Sequence, residues 1–227
     1  MKSDFYIEKV ERKEVEPLLF TYHYLKDHSK TFRSGHHYAL FRGDPDCILR
    51  PVGVCVGALV FTGIPVPEIA VSAFGLSRDD QEGLFELSRL CIHPDVQAEE
   101  YNITSWFVSR AIKQFRKDVN VRAILSYADG KFHKGVIYAA SNFKYYGMTS
   151  ATASDFWVLN DDGTYTKKSR GGGKGLQGEY RKRSQKHRFL MTFDKTLNVL
   201  WKEEKWVNPV KNQDIERNWA PESASIV

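Results

Sequence analysis

Residues 83–129 read GLFELSRLCIHPDVQAEEYNITSWFVSRAIKQFRKDVNVRAILSYAD and change periodicity twice. GLFELSRLCI is apolar enough to be a buried strand, and His93-Pro94-Asp95 closes it as the turn into a helix. In the next segment Ile103, Phe107, Ala111, Ile112 and Phe115 recur at helical spacing, which gives an amphipathic helix over 102–117. Asn102 or Thr104 can cap its start. RAILSYAD then returns to strand character. Strand, helix and strand in this order form a crossover unit, and crossovers place their two strands parallel.

Outward from that unit the pattern is hairpin-like. FYIEKVER (5–12) alternates as a strand, and Val15, Leu18, Leu19, Tyr22 and Leu25 mark a helix. HYALFRG is a strand that ends at the turn GDPD. VGVCVGALVFTGIPVP is a buried strand followed by a turn. After Asp129 come a short helix in KGVIYAASNF, a turn and strand in YYGMTSATASDFWVL, and a late strand RFLMTF. The expected class is α/β (α+β): a mixed, partly splayed sheet with helices on both faces. That layout resembles the Gcn5-related N-acetyltransferase fold, in which two central parallel strands splay apart to hold acyl donor and acceptor. A fold alone does not establish acyl transfer.

The chain has 227 residues, 42% hydrophobic and 27% charged, enough for one domain with a core of its own. We expect one catalytic domain over 1–195 with a basic, glycine-rich loop at 161–188, then a tail over 196–227. Cys47, Cys55 and Cys91 show no CxxC spacing and form an odd set; Cys55 and Cys91 sit in apolar runs and are expected as buried thiols in a reducing cytoplasm. The polar start MKSDFYIEKVERKEVE has no signal-peptide character, and no apolar run is long enough to span a bilayer. These features predict a cytoplasmic protein without a membrane partner.

Charge is uneven. Residues 167–188 carry nine Lys or Arg and one Glu, so of the chain's net +5 this stretch holds +8 and the remainder −3. Such asymmetry points to a polyanion, nucleic acid above all. A merely solvated loop is the plain alternative. Its glycines would let backbone N–H groups approach phosphates, and Tyr180 and His187 interleave the charges.

YHYLKDHSK, FELSRLCIHPD, YNITSWFVSRAI, LSYADGKFHKGVIYAASNFKYYG and QKHRFLMTF occur in an order that resembles the Mom family, over about residues 20–192. The block from SYAD to YYG is the most specific part. Mom proteins are phage proteins that modify adenine in their own DNA. The resemblance implies an acetyltransferase-like transferase that places a carbamoylmethyl group on adenine N6 in double-stranded DNA, which then resists host restriction. One departure stands out. Acetyltransferases cradle the coenzyme A pyrophosphate on a glycine-containing loop at a helix start, whereas HPDVQAEEYNITSWF has no glycine and has Glu99 beside Glu100.

The candidate residues follow from the resemblance and from chemistry together. Asp129 ends a strand and could accept a proton from an exocyclic amine; before Gly130 it could equally be a turn residue. Tyr138 could donate to a leaving group or oxyanion, or be a core tyrosine. His23 and Tyr24 match the family's His-Tyr pair, with His23 as base or metal ligand, and His37-Tyr38 competes for the role. Arg89 is a charge in an apolar strand that needs Glu86, Asp95 or an anionic ligand, and Ser88 lies on the opposite face. Ser88, Arg89, Asn102 and Ser105 are the expected donor-binding set, for acetyl-CoA or a related donor. Ser126, Tyr127, Lys186, His187 and Arg188 are expected on the DNA. An iron or other metal ion stays open, though no HxxxH or CxxC spacing supports it. A homodimer also stays open. The rivals are a small-molecule N-acetyltransferase and a non-catalytic DNA-binding protein.

Overall fold

The computed structural model describes residues 4–24, 32–43, 53–168 and 172–208. Its elements are β1 (Phe5–Val10), α1 (Arg12–Tyr22), β2 (His36–Arg42), β3 (Val54–Gly63), α2 (Glu68–Phe74), β4 (Leu84–Ile92), α3 (Pro94–Glu99), α4 (Ile103–Asp118), β5 (Ala123–Asp129), α5 (Val136–Ala140), β6 (Lys144–Met148), β7 (Ser154–Leu159), β8 (Tyr165–Lys167), β9 (Gly178–Lys182) and β10 (Lys186–Thr192). The main sheet has the order β1-β2-β3-β4-β5-β10-β6. Every neighbouring pair is antiparallel except β4 and β5. The crossover through α4 thus yields the one parallel pair, as the sequence predicts.

Strand alternation sends side chains to two faces, and helices cover both. Phe107, Ala111, Ile112 and Phe115 of α4 pack with Phe61, Leu87, Ile124 and Phe189 on one face, which α5 shares through Tyr138. Phe115 stacks on Phe61 at 4.4 Å and 5°. On the other face α1 packs through Val15, Leu18 and Leu19, and α2 through Ile69, Ala70 and Phe74. Helix α2 lies where only a turn is expected; Gly75 ends it with φ of 67°. α3 is a second addition, begun by Pro94 at its first turn.

Two expectations need correction. Among its described residues the basic stretch is not all loop: β8 and β9 lie in it and join β7 in a separate three-stranded antiparallel sheet of order β8-β7-β9. Alternation in SDFWVL and GEYRK allowed this, but charge and glycine content hid it. The tail is not loose in its described part. Leu197 is buried, Leu200 N–H donates to Ala73 O at 2.8 Å, and Glu204 N–H donates to Tyr145 O at 2.9 Å. Residues 209–227 lie outside the described residues, as does Cys47. Among the described residues no helix is long and apolar enough to cross a membrane.

Candidate active site

β4 and β5 pair only through Leu84, Phe85 and Glu86 opposite Ala123, Ile124 and Leu125, although β4 continues to Ile92 and β5 to Asp129. Beyond Glu86 the two strands part, and the sheet opens between them. Two devices hold the opening. A bulge leaves Ser88 as an extra residue between Arg89, which faces Val60, and Leu87, which faces Phe61. Bulges re-aim side chains. Here Ser88 Oγ donates to Val60 O at 3.2 Å, and Arg89 Nη1 donates to Ser88 O at 2.7 Å. Across the gap Ser126 Oγ donates to Leu87 O at 2.9 Å, so a side chain bridges where backbone pairing stops. The buried Tyr138 stands beside Ser126, which partly offsets the rise that burial gives the Tyr138 hydroxyl pKa.

Glu86 stands at the rim, cross-strand from the buried Thr62. Burial raises its carboxyl pKa, and Lys186, Arg89 and Arg33 only partly offset this. Its carboxylate has no hydrogen-bond or ion-pair partner among the described residues. Arg89 feels Tyr24, Glu86 and Tyr138, but burial is the larger effect and lowers its pKa. Burial also pushes the Tyr138 hydroxyl well up, so it stays a proton donor. Tyr24 is raised by burial and by Asp129. These groups share one field in a dry setting, where it acts strongly.

The His-Tyr ambiguity resolves on position. Tyr24 contacts Phe132 at 5.1 Å and His133 at 5.4 Å, just past β5, and His23 stacks on it at 4.5 Å. His37 and Tyr38 lie on β2, separated from the opening by β3, with the Tyr38 ring in the core. Burial, Arg89 and His133 hold the His23 ring at about 3, so it is neutral and a weak base near pH 7.

Asp129 does what a turn aspartate does. One carboxylate oxygen accepts Lys131 N–H at 3.0 Å and the other accepts Ser184 Oγ at 2.7 Å. It is near enough to act by charge on Tyr24 and His133. The expected phosphate trio does not form one surface, because alternation separates it. Lys186 is exposed; His187 Nδ1 is bonded to Tyr145 OH at 2.9 Å; Arg188 lies over the Trp201 ring at 4.6 Å. Tyr127, opposite Arg188 in the register, joins Arg188 and Glu86 on the α2 side, while Ser126 faces α5.

The small sheet uses much of its charge internally. Asp155, 12% exposed, holds both Lys167 and Arg183 at 2.6 Å. Burial opposes its ionisation, but the two cations outweigh that and keep its pKa low. Arg181 pairs with Glu179 and lies 4.6 Å from both the Trp157 and Tyr165 rings. Gly173 serves packing: a Cβ there would sit 2.2 Å from the Phe156 ring.

At the helix entry Glu99 is drawn away to Arg42 at 2.9 Å. Asn102 adopts the left-handed backbone, φ 58°, which a glycine would otherwise supply. It makes no side-chain cap, and Ser105 Oγ donates to its carbonyl at 3.1 Å. The entry is therefore compatible with an anionic donor despite lacking glycine. Metal ligation fits less well: no group of three His, Cys, Asp or Glu side chains that could hold an ion occurs among the described residues.

Sequence reasoning treated Glu86 only as a possible partner for Arg89, placed His133 in the cluster around Asp129 without a role, and overlooked Phe132. The available signal was a second charge in the apolar run FELSRL.

No curated relative matches the chain by sequence. Among solved structures it is similar to a Bacillus subtilis acetyltransferase in complex with CoA, at 13% identity and TM-score 0.48, covering 83% of this chain and 99% of that one. It is also similar to an N-acetyltransferase from Staphylococcus aureus, at 10% identity and TM-score 0.47, covering 84% and 99%. A third is a GNAT family acetyltransferase from Elizabethkingia anophelis with acetyl-CoA bound, at 9% identity and TM-score 0.47, covering 84% and 99%. The Mom protein family matches residues 4–209, which span every described residue and both sides of the opening, and the chain belongs to that family.

Proposed function

We propose that the chain is a transferase that places a carbamoylmethyl, acyl-like group on the N6 amine of adenine in DNA, so that the DNA escapes restriction. The observation that carries this reading is the opening beyond Glu86: the half-buried Glu86, with no hydrogen-bond partner among the described residues, stands on its α2 side, Ser126 and Tyr138 stand on its α5 side, and Arg89 is near enough to act by charge on both Glu86 and Tyr138. Adenine N6 is a poor nucleophile because its lone pair is delocalised into the ring. It must lose a proton as the new N–C bond forms. Glu86 is poised for that proton, since its raised pKa lies nearer to working pH than an ordinary carboxylate's. Tyr138 keeps its proton and can donate it to the developing charge, with Arg89 lending positive field. A duplex base reaches such a site only by leaving the stack, and the Tyr24 and Phe132 rings offer faces to receive it. Acetyl-CoA itself would give an N6-acetyl product with CoA thiol leaving; a carbamoylmethyl product requires a related donor whose methylene carries the leaving group, which departs with the electron pair of the broken bond as N6–C forms.

A second reading, N-acylation of a small amine, is favoured by one observation: Asp155 and Glu179 neutralise much of the small sheet's charge. Mass spectrometry of nucleosides from bacteria expressing the protein separates the two. A heavier adenosine, absent with Glu86→Gln, supports DNA modification. Unaltered nucleosides together with acylation of a small amine by purified protein would reject it.

A further inference from the structure

A second feature lies away from the opening, between α4 and the edge strand β1. A cleft of about 290 Å³ is lined by Phe5, Ile7, Trp106, Arg110, Lys113 and Lys117 among others. Most surface cations on neighbouring elements have carboxylates: Lys9 with Asp118, Arg12 with Glu16, Arg42 with Glu99. Arg110, Lys113 and Lys117 have none among the described residues, although all three are exposed. They sit three and four residues apart, hence on one helix face, where like charges repel. At ~1.5 Å rise per residue they stand ~4.5 and ~6 Å apart along the axis. The acid that could relieve them, Asp118, is engaged by Lys9. The guanidinium of Arg110 lies 5.6 Å from the centre of the Trp106 ring, beside the apolar floor of Phe5 and Ile7.

We propose that this cleft is a second nucleic-acid contact, which grips a strand outside the reaction opening. One base would stack on Trp106 while successive phosphates meet Arg110, Lys113 and Lys117. A row of cations with an aromatic face suits a strand better than a compact anion, since base stacking and backbone neutralisation act together on such ligands. The cleft is of the size that holds one nucleotide-sized group. This inference rests on the DNA reading above, and it explains how a protein whose small sheet neutralises much of its own charge could still hold DNA.

The test is salt-dependent binding of a 20-nucleotide single strand and of a duplex to full-length protein, with Trp106→Ala, Trp106→Phe, the pair Lys113→Gln/Lys117→Gln, and, as a control outside the cleft, Lys144→Gln on the opposite sheet edge, where Glu203 already pairs the lysine. Circular dichroism confirms folding of each. Losing two phosphate contacts should reduce the slope of log affinity against log salt by about 1.4–1.8. Trp106→Ala should weaken binding by about 5- to 150-fold, and Trp106→Phe should restore most of it. Lys144→Gln should bind as wild type. If the cleft variants bind with wild-type affinity and slope, the inference is overturned while the DNA reading stands. If wild type binds no nucleic acid, both are overturned. If heparin competes as well as the strand and Trp106→Ala has no effect, the cleft is a general polyanion surface and the base contact is rejected.

Discussion

Replacing Glu86 with glutamine should weaken activity and strengthen the fold at once. The substitution keeps volume and hydrogen-bonding reach but removes the charge. As a proton acceptor Glu86 is worth about 10²–10⁴-fold in rate, so modified adenosine should fall by that factor. Stability moves the other way. The folded-state pKa of Glu86 is raised by burial. A raised acid favours the fold while protonated, and this contribution is lost as pH rises from the ordinary carboxylate range through the folded value. At neutral pH the charged form is therefore a net cost, held without a hydrogen-bond partner among the described residues. Relieving such functional strain typically returns about 0.5–2 kcal/mol. For a chain of this size that raises Tm by about 1–8 °C. Thermal melts from pH 4 to 8 should show the two proteins converge toward acid pH and diverge above it. A glutamine variant that melts lower than wild type at pH 7 and modifies DNA normally would refute the argument and make Glu86 a structural counter-ion for Arg89.

Other expectations are direct. Tyr138→Phe should cut activity by more than 10-fold yet cost only about 0.5–1.5 kcal/mol in urea denaturation, since it removes one hydroxyl beside Ser126 and little volume. Phe115→Ala should cost about 3–5 kcal/mol in the same assay, because it empties the centre of the α4 face where Phe61, Phe85 and Tyr38 meet it. Asp155→Asn should free Lys167 and Arg183, so limited trypsin digestion should cut within 154–183 while the melting of the main sheet barely changes. Buried His23 titrates at about 3, below its unfolded value, so its stabilising contribution is complete above about pH 6.5 and is lost as pH falls toward 3. It should add a slope of up to about 1.4 kcal/mol per pH unit in acid unfolding, and His23→Gln should flatten it.

The main sheet was legible because its cues are local and mutually consistent. The α4 pattern from Ile103 to Phe115 and the flanking apolar strands admit few arrangements, and a crossover between them forces the parallel pair. The splay followed from the resemblance rather than from periodicity. Helix α2 was missed because Pro65 and Pro67 read as a turn, although proline is also tolerated at a helix start. The small sheet was missed because hairpins held by a half-buried aspartate and an arginine over two rings leave no apolar run. At the site, residue types could be named but not their partners. Whether Asp129 is a free base or a turn acceptor depends on Ser184, fifty-five residues away in sequence. Whether His187 faces DNA depends on Tyr145 across the strand.

Charge is where sequence and structure diverge most, and the divergence has a physical logic. A formal charge matters to a partner only if it is not already answered within the fold. The +8 stretch looked like the polyanion-binding element, yet Asp155 takes two of its cations, Glu179 and two rings take Arg181, and Trp201 covers Arg188. Helix α4 drew no attention on composition, since it sits in the part of the chain that sums to −3, yet it presents Arg110, Lys113 and Lys117 without a carboxylate among the described residues. The same accounting applies inside the opening. Of the two acids there, Asp129 is answered by a backbone N–H and a hydroxyl, and Glu86 is not answered among the described residues. An acid held in a dry site without partners costs stability that selection has no structural reason to retain. That cost, more than its place in a motif, makes Glu86 the residue on which the chemistry should depend.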